Sequence, residues 1–238
     1  MLQFRYLNHS GFLVETDHHY LVFDYYPHAP YGNLEGGILC LSDLAADKPL
    51  AVFVSHAHYD HYSPEVHRFA AERPGTIVFL GDDIDPTDDA TTIRPGADIT
   101  MDGIRVRALR STDQGVAFLV TVDGLTLYHA GDLNWWHWLG ENEAWLRQVD
   151  AAYQGEIAKL AGESIDLAFV PVDPRLEGAA LWGAQYFMKT VGARWLVPMH
   201  MWERYGICQE LADHPDSAAF ADRLVPITRR GQLVELLP

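Results

Sequence analysis

The chain has 238 residues, enough to bury a sizeable core, and its 48% hydrophobic content is ordinary for a globular protein. Against 33 Asp and Glu it carries 17 Lys and Arg, a formal charge of −16 that repels polyanions and argues against a nucleic-acid partner. No apolar run reaches the roughly eighteen residues of a membrane span, and Met1–Tyr6 lacks the basic and apolar regions of a secretion signal, so the membrane is excluded as a partner and the cytoplasm is the default location.

In chain order, strands are expected at 2–7, 11–16 and 19–24, the first two joined by Asn8-His9-Ser10. Ala51-Val52-Phe53-Val54 reads as a buried strand at 51–55. Directly behind it comes His56-Ala57-His58-Tyr59-Asp60-His61, three imidazoles and a carboxylate at a strand exit. In an extended segment His56 and His58 point the same way and can bind one ion. Asp60 and His61 follow as the chain turns and can reach a second. Imidazole with carboxylate suits zinc, iron or manganese better than calcium or magnesium. Ser63-Pro64-Glu65 opens a helix, with a capping residue, a first-turn proline and a first-turn acid.

Strands follow at 76–80, 104–109, 116–122 and 125–129. The third of these leads out of Ser111-Thr112-Asp113, and the fourth ends in His129-Ala130-Gly131-Asp132. Trp135, Trp136 and Trp138 come next, interleaved with His137, and Trp202 follows His200. Such tryptophans either wall a pocket or fill a core. His137 either contacts substrate or sits on a solvent-facing loop. Trp145, Val149, Ala152, Ile157 and Leu160 recur at nearly helical spacing before Gly162. A strand at 166–171, a helix from Glu177 to Val191, a strand at 194–198 leading to His200, and a last strand at 232–236 complete the chain. No linker or repeat interrupts it, so 1–238 is expected to form one domain. Cys40 and Cys208 lie far apart, outside the ligand runs, and read as free thiols.

The His-x-His-x-Asp-His run of His56 to His61, the Gly131-Asp132 pair and the late His200 resemble the metallo-β-lactamase-fold hydrolase superfamily. Asn8-His9-Ser10-Gly11 followed by Leu21-Val22-Phe23-Asp24 is similar to its compact, lactonase-like branch. The resemblance implies an α+β fold, a four-layer αββα sandwich of two mixed sheets flanked by helices. It implies two divalent ions, zinc first, with manganese or iron as alternatives. One would be held by His56, His58, a later histidine and a bridging Asp132, the other by Asp60, His61, His200 and the same Asp132. The sequence departs from that pattern, because no histidine lies between His67 and His129. Asp113 is the expected substitute, with Ser111 or Thr112 as weaker donors and a turn role as the competing reading. His9 and Asp24 occupy positions that lie close to the metals in the resembled branch, and His129 is expected to orient the ligands from behind.

The expected function is a metal-dependent hydrolase that uses a metal-bridging hydroxide on a small-molecule ester, lactone or phosphoester. Asp60 is the expected residue to orient that water or receive its proton. Two other readings stay open: a di-iron redox enzyme of the same fold, and a degenerate, non-catalytic metal-binding protein. The sequence leaves a homo-oligomer open.

Overall fold

The computed structural model describes residues 1–236. Its strands are β1 (Leu2–Asn8), β2 (Gly11–Glu15), β3 (Tyr20–Phe23), β4 (Leu50–Val54), β5 (Ile77–Gly81), β6 (Thr91–Ile93) and β7 (Asp98–Met101). They continue with β8 (Ile104–Arg110), β9 (Val116–Val122), β10 (Leu125–His129), β11 (Leu167–Pro171), β12 (Trp195–Met199) and β13 (Leu233–Leu236). The α-helices are α1 (Glu65–Glu72), α2 (Glu143–Ala158), α3 (Trp182–Thr190) and α4 (Ile207–Asp213).

Two sheets result, ordered β13-β1-β2-β3-β4-β5-β6 and β12-β11-β10-β9-β8-β7. Each is mixed. In the first, β13 to β3 pair antiparallel and β3 to β6 parallel. In the second, β7 to β10 pair antiparallel and β10 to β12 parallel. The parallel strands are covered on both faces, which is why β4 and β11 read as unbroken apolar runs and are buried at every residue.

Alternation along β4 shows the layering. Ala51 and Phe53 join the core between the sheets, while Val52 and Val54 join a second core with Val66 and Phe69 of α1. Aromatic rings dominate the inter-sheet layer: Phe12 lies 4.1 Å from Phe169, and Phe23 stacks on Phe53 at 4.8 Å. On the far side of the second sheet, Tyr128 of β10 stacks on Phe187 of α3 at 5.1 Å. The order is therefore helix, sheet, sheet, helix: an αββα sandwich of the α+β class.

Three features depart from the sequence expectation. The helix expected from Glu177 to Val191 is broken into a 3-10 segment, Pro174–Ala179, and α3, because Glu177 takes φ 51° and ψ −119°. Strands β6 and β7 were not expected, being a three-residue strand and a half-exposed one with little apolar signal. Helix α4, at seven residues, is too short to establish a periodicity. Among the described residues, no helix is long and apolar enough to cross a membrane.

Candidate metal centre

The ligand-type residues meet at one end of the sandwich, where strand exits from both sheets are stitched together. The Val116 amide donates to Ser55 O at 3.0 Å, joining the start of β9 to the exit of β4. The His200 amide donates to His9 O at 3.2 Å, joining the exits of β12 and β1. Two glycines permit this closeness. A Cβ on Gly131 would lie 2.6 Å from Ser55 Cβ, and one on Gly115 would collide with Ser55 O; both residues have left-handed φ. His9, Asp24 and His200 are also left-handed, at φ 51°, 40° and 63°, a conformation non-glycine residues hold only where the surroundings impose it.

Three overlapping groups of donor atoms form: His9, Asp60, His61 and His200; His56, His61 and Asp132; and His58, Asp113 and Asp132. Asp132 sits between them. Its Oδ1 lies 3.1 Å from His61 Nε2 and 3.3 Å from His200 Nε2, while its Oδ2 lies 3.5 Å from His56 Nε2. His56 Nε2 faces His58 Nδ1 at 3.0 Å, and Asp113 Oδ2 is 3.9 Å from His58 Nδ1. On the other side, His9 Nε2 is 3.4 Å from Asp60 Oδ2.

Buried polar atoms are normally paired. Here His9 Nε2, His61 Nε2 and Asp132 Oδ1 are buried without a hydrogen-bond partner. All three belong to the donor groups above, so their unmet valence converges on one small volume. A divalent cation satisfies such a set, and the residues therefore fit the metal that the fold implies.

The nitrogens are aimed by partners behind them. Ser55 donates to Asp24 through both N and Oγ, at 2.7 Å each, and His61 Nδ1 donates to Asp24 Oδ2 at 2.7 Å. With its hydroxyl proton given to Asp24, Ser55 Oγ accepts from His56 Nδ1 at 2.9 Å. His200 Nδ1 donates to Asp173 Oδ2 at 2.9 Å. In each case the distal Nε2 is left as the ligand atom. His129 stands behind the site: Nδ1 accepts from the Gly131 amide at 3.2 Å, Nε2 donates to Ser10 O at 2.9 Å, and the ring stacks on Phe23.

Charge follows geometry. Burial, reinforced by the neighbouring His200, lowers His9 to about 4, and burial with the nearby His61 lowers His56 to about 4. Burial opposes the charge of His61, but Asp132 and Asp24 outweigh it and raise this imidazole well above its usual range. Burial likewise opposes ionisation of Asp132 and Asp60. His61 and His200 hold Asp132 well below the usual carboxylate range, and His9, 3.4 Å away, together with His61 does the same for Asp60. Asp113 is raised by burial and by Asp132.

Of the donor groups, His58, Asp60, Asp113, Asp132 and His200 line a cavity of about 410 Å³. Trp136, Trp138, Trp145, Val149 and Trp202 wall it, and Arg175 reaches into it. Two residues expected near the pocket point elsewhere. Trp135 donates from Nε1 to Asp150 Oδ1 at 2.5 Å and packs on Tyr153 and Tyr186, so it belongs to the layer beneath α2 and α3. His137 Nδ1 bonds the same Asp150 oxygen at 2.9 Å, and its ring lies on Trp182, so it neither lines the cavity nor faces open solvent. Successive tight turns, with backbone bonds from Trp136, His137 and Trp138 to the residue two before each, alternate the side chains, and Trp136 and Trp138 line the pocket instead, stacked 6.0 Å apart.

His9 lies nearer the ligand atoms than a supporting role requires. Asp24 buttresses His61, Asp113 faces His58 from a half-exposed turn, and Trp202 packs on His9 at 4.4 Å. Asp173 and Arg175 went unnoticed in the sequence. The available signal was position: Asp173 follows the exit of β11 as the other candidates follow theirs.

Residues 3–136 match the beta-lactamase superfamily domain, more than half of the chain, and the protein belongs to that superfamily. No curated protein matches the sequence. Among solved structures, the chain is similar to a novel metallo hydrolase from the hyperthermophilic archaeon Ignicoccus hospitalis, with 17% identity and a TM-score of 0.67 over 98% of this chain and 97% of that one. It is similar to CmlA, a diiron beta-hydroxylase from Streptomyces venezuelae, with 13% identity and a TM-score of 0.55 over 84% of this chain and 44% of that one. It is also similar to the short form of human tRNase Z, with 12% identity and a TM-score of 0.57 over 99% of this chain and all of that one, 100%. At such identities the likeness carries the fold and no substrate.

Proposed function

We propose that the protein is a metal-dependent hydrolase of small molecules, acting on an ester, lactone or phosphoester. The observation that carries this reading is a set of buried, unpartnered ligand atoms, His9 Nε2, His61 Nε2 and Asp132 Oδ1, in overlapping donor groups whose Asp60, Asp113, Asp132 and His200 line a pocket walled by tryptophan. Two divalent ions fit the donor set. His56, His58, Asp113 and Asp132 would hold one, and Asp60, His61, His200 and Asp132 the other, with His9 as an added donor. Nitrogen-rich ligation favours zinc, with manganese or iron as alternatives because of the added carboxylate. When bound, the ions supply an activated water and polarise the scissile carbonyl or phosphoryl group.

The chain's own residues do the rest. Asp60, ionised and 3.4 Å from His9 Nε2, orients the attacking water and is the nearest base for its proton. Asp24 and Asp173 keep His61 and His200 in one tautomer and one orientation. The tryptophan walls exclude bulk water and hold the apolar part of the substrate. A formal charge of −16 disfavours polynucleotides, so the tRNA chemistry of one structural neighbour is not assigned here. The cytoplasm is the location proposed.

Turnover of a panel of esters, lactones and phosphoesters, with and without chelator, tests the proposal. We expect chelator-sensitive hydrolysis, restored by zinc, manganese or iron. No chelator-sensitive turnover on any of them would overturn it. Bound iron with a visible absorption band and no hydrolysis would favour the oxygen chemistry of the diiron neighbour instead.

A further inference from the structure

Arg175 is out of place in this pocket unless the substrate needs it. It shares the cavity lining with three carboxylates, Asp60, Asp113 and Asp132, and among the described residues that line the cavity it is the one Lys or Arg. Its Nε and Nη2 are committed to Asp173, with Nε 2.9 Å and Nη2 2.5 Å from Oδ2. That pairing fixes the guanidinium plane and leaves Nη1 uncommitted to Asp173. The guanidinium carbon stands 4.9 Å from the ring centre of Trp202 and 5.7 Å from that of Trp138, so the fork is held between two aromatic walls. The side chain is 48% exposed, and it lines the cavity.

We propose that Arg175 determines specificity, selecting small substrates that carry a carboxylate next to a flat, apolar group. The inference deepens the hydrolase reading and rests on it. Guanidinium is the side chain best shaped for a carboxylate, and here it is presented rigidly at little entropic cost. A single negative charge suits the site better than two. Arg175 brings the one Lys or Arg charge among the described residues that line the cavity, enough for one carboxylate. Trp136 and Trp138, stacked nearly parallel at 6°, offer a face to the flat part of the ligand.

The test uses the metal-loaded protein and tryptophan fluorescence, because Trp138 and Trp202 flank Arg175. Phenylacetate and its neutral amide, phenylacetamide, are titrated against the wild type, Arg175→Gln and Arg175→Lys. Glutamine keeps a hydrogen bond to Asp173 while removing the charge, and metal content is measured on each variant. The wild type should bind phenylacetate in preference to the amide. Arg175→Gln should weaken phenylacetate about 10- to 100-fold, the loss of a charge-assisted hydrogen bond, and leave the amide unchanged. Arg175→Lys should restore part of the preference.

Equal weakening of both ligands, a loss of metal in Arg175→Gln, or no preference in the wild type would overturn the inference. Such results would make Arg175 a prop for Asp173 and His200. The binding readout does not depend on turnover. Failure of the hydrolase reading would show as retained carboxylate preference without chelator-sensitive hydrolysis, and failure of this inference as hydrolysis without the preference.

Discussion

Without metal, burial disfavours a proton on His9 and His56, while two carboxylates favour one on His61 within a few ångströms of them. The reason is what each faces. His61 lies between two carboxylates, Asp24 and Asp132, at 2.7 and 3.1 Å. His9 and His56 are buried with imidazole neighbours that oppose a proton. In the metal-free protein this has a consequence for stability. Both histidines fall from 6.5 to about 4 on folding, so the unfolded chain binds more protons between those values. Their contribution is complete above the unfolded value near 6.5 and is lost as pH falls through 4. His61, raised on folding, opposes the decline near 6.5, where the unfolded chain is still taking up its proton, and adds no slope once pH is well below that value. Urea unfolding of metal-free protein should therefore show stability declining from neutral pH toward 4, and His9→Gln should flatten the decline. An unchanged slope in that variant would remove His9 from the explanation.

At the scale of elements, the centre exists because the β4 exit, the turn into β9 and the β10 exit press on Ser55. Gly131→Ala places a methyl group against Ser55 Cβ at a left-handed backbone position, and either Ser55 or the Asp132 turn must move. We expect a loss of about 1–3 kcal/mol in stability from the backbone strain alone, seen in denaturant unfolding, together with weaker metal binding because Asp132 is displaced. Normal metal binding in a folded Gly131→Ala protein would mean the turn has slack.

Much of this was legible in the sequence for a local reason. His56, His58, Asp60 and His61 share one strand exit, and β4 announces itself as an unbroken apolar run. The two mixed sheets and their flanking helices follow from apolar runs and from the family resemblance together. What escaped depended on contacts between elements. Asp173 matters only because β11 and β12 are parallel neighbours, which brings its carboxylate to His200. Arg175 is held in the pocket through Asp173 and the two tryptophans. The facing of Trp135 and His137 was a question of parity that composition could not answer, and Asp150 on α2 answers it. Glu177 broke a helix whose spacing looked continuous, because its backbone turns left-handed ahead of α3.

For the whole molecule, the sandwich and the centre are nearly separable. The aromatic layer between the sheets holds the fold, while the strand exits at one end carry the unpaired polar atoms. The formal charge of −16 disfavours polyanions, and a small substrate in the tryptophan-walled cavity is the reading proposed above. The central claim is that Asp132 joins two adjacent ions held by residues from both sheets. Metal content of the purified protein and of Asp132→Ala, measured by elemental analysis beside a circular dichroism spectrum, tests it most directly. Two ions per chain in the wild type and a clear loss in the folded variant are expected. Unchanged metal content in Asp132→Ala, or a wild type that takes up no divalent ion, would contradict it.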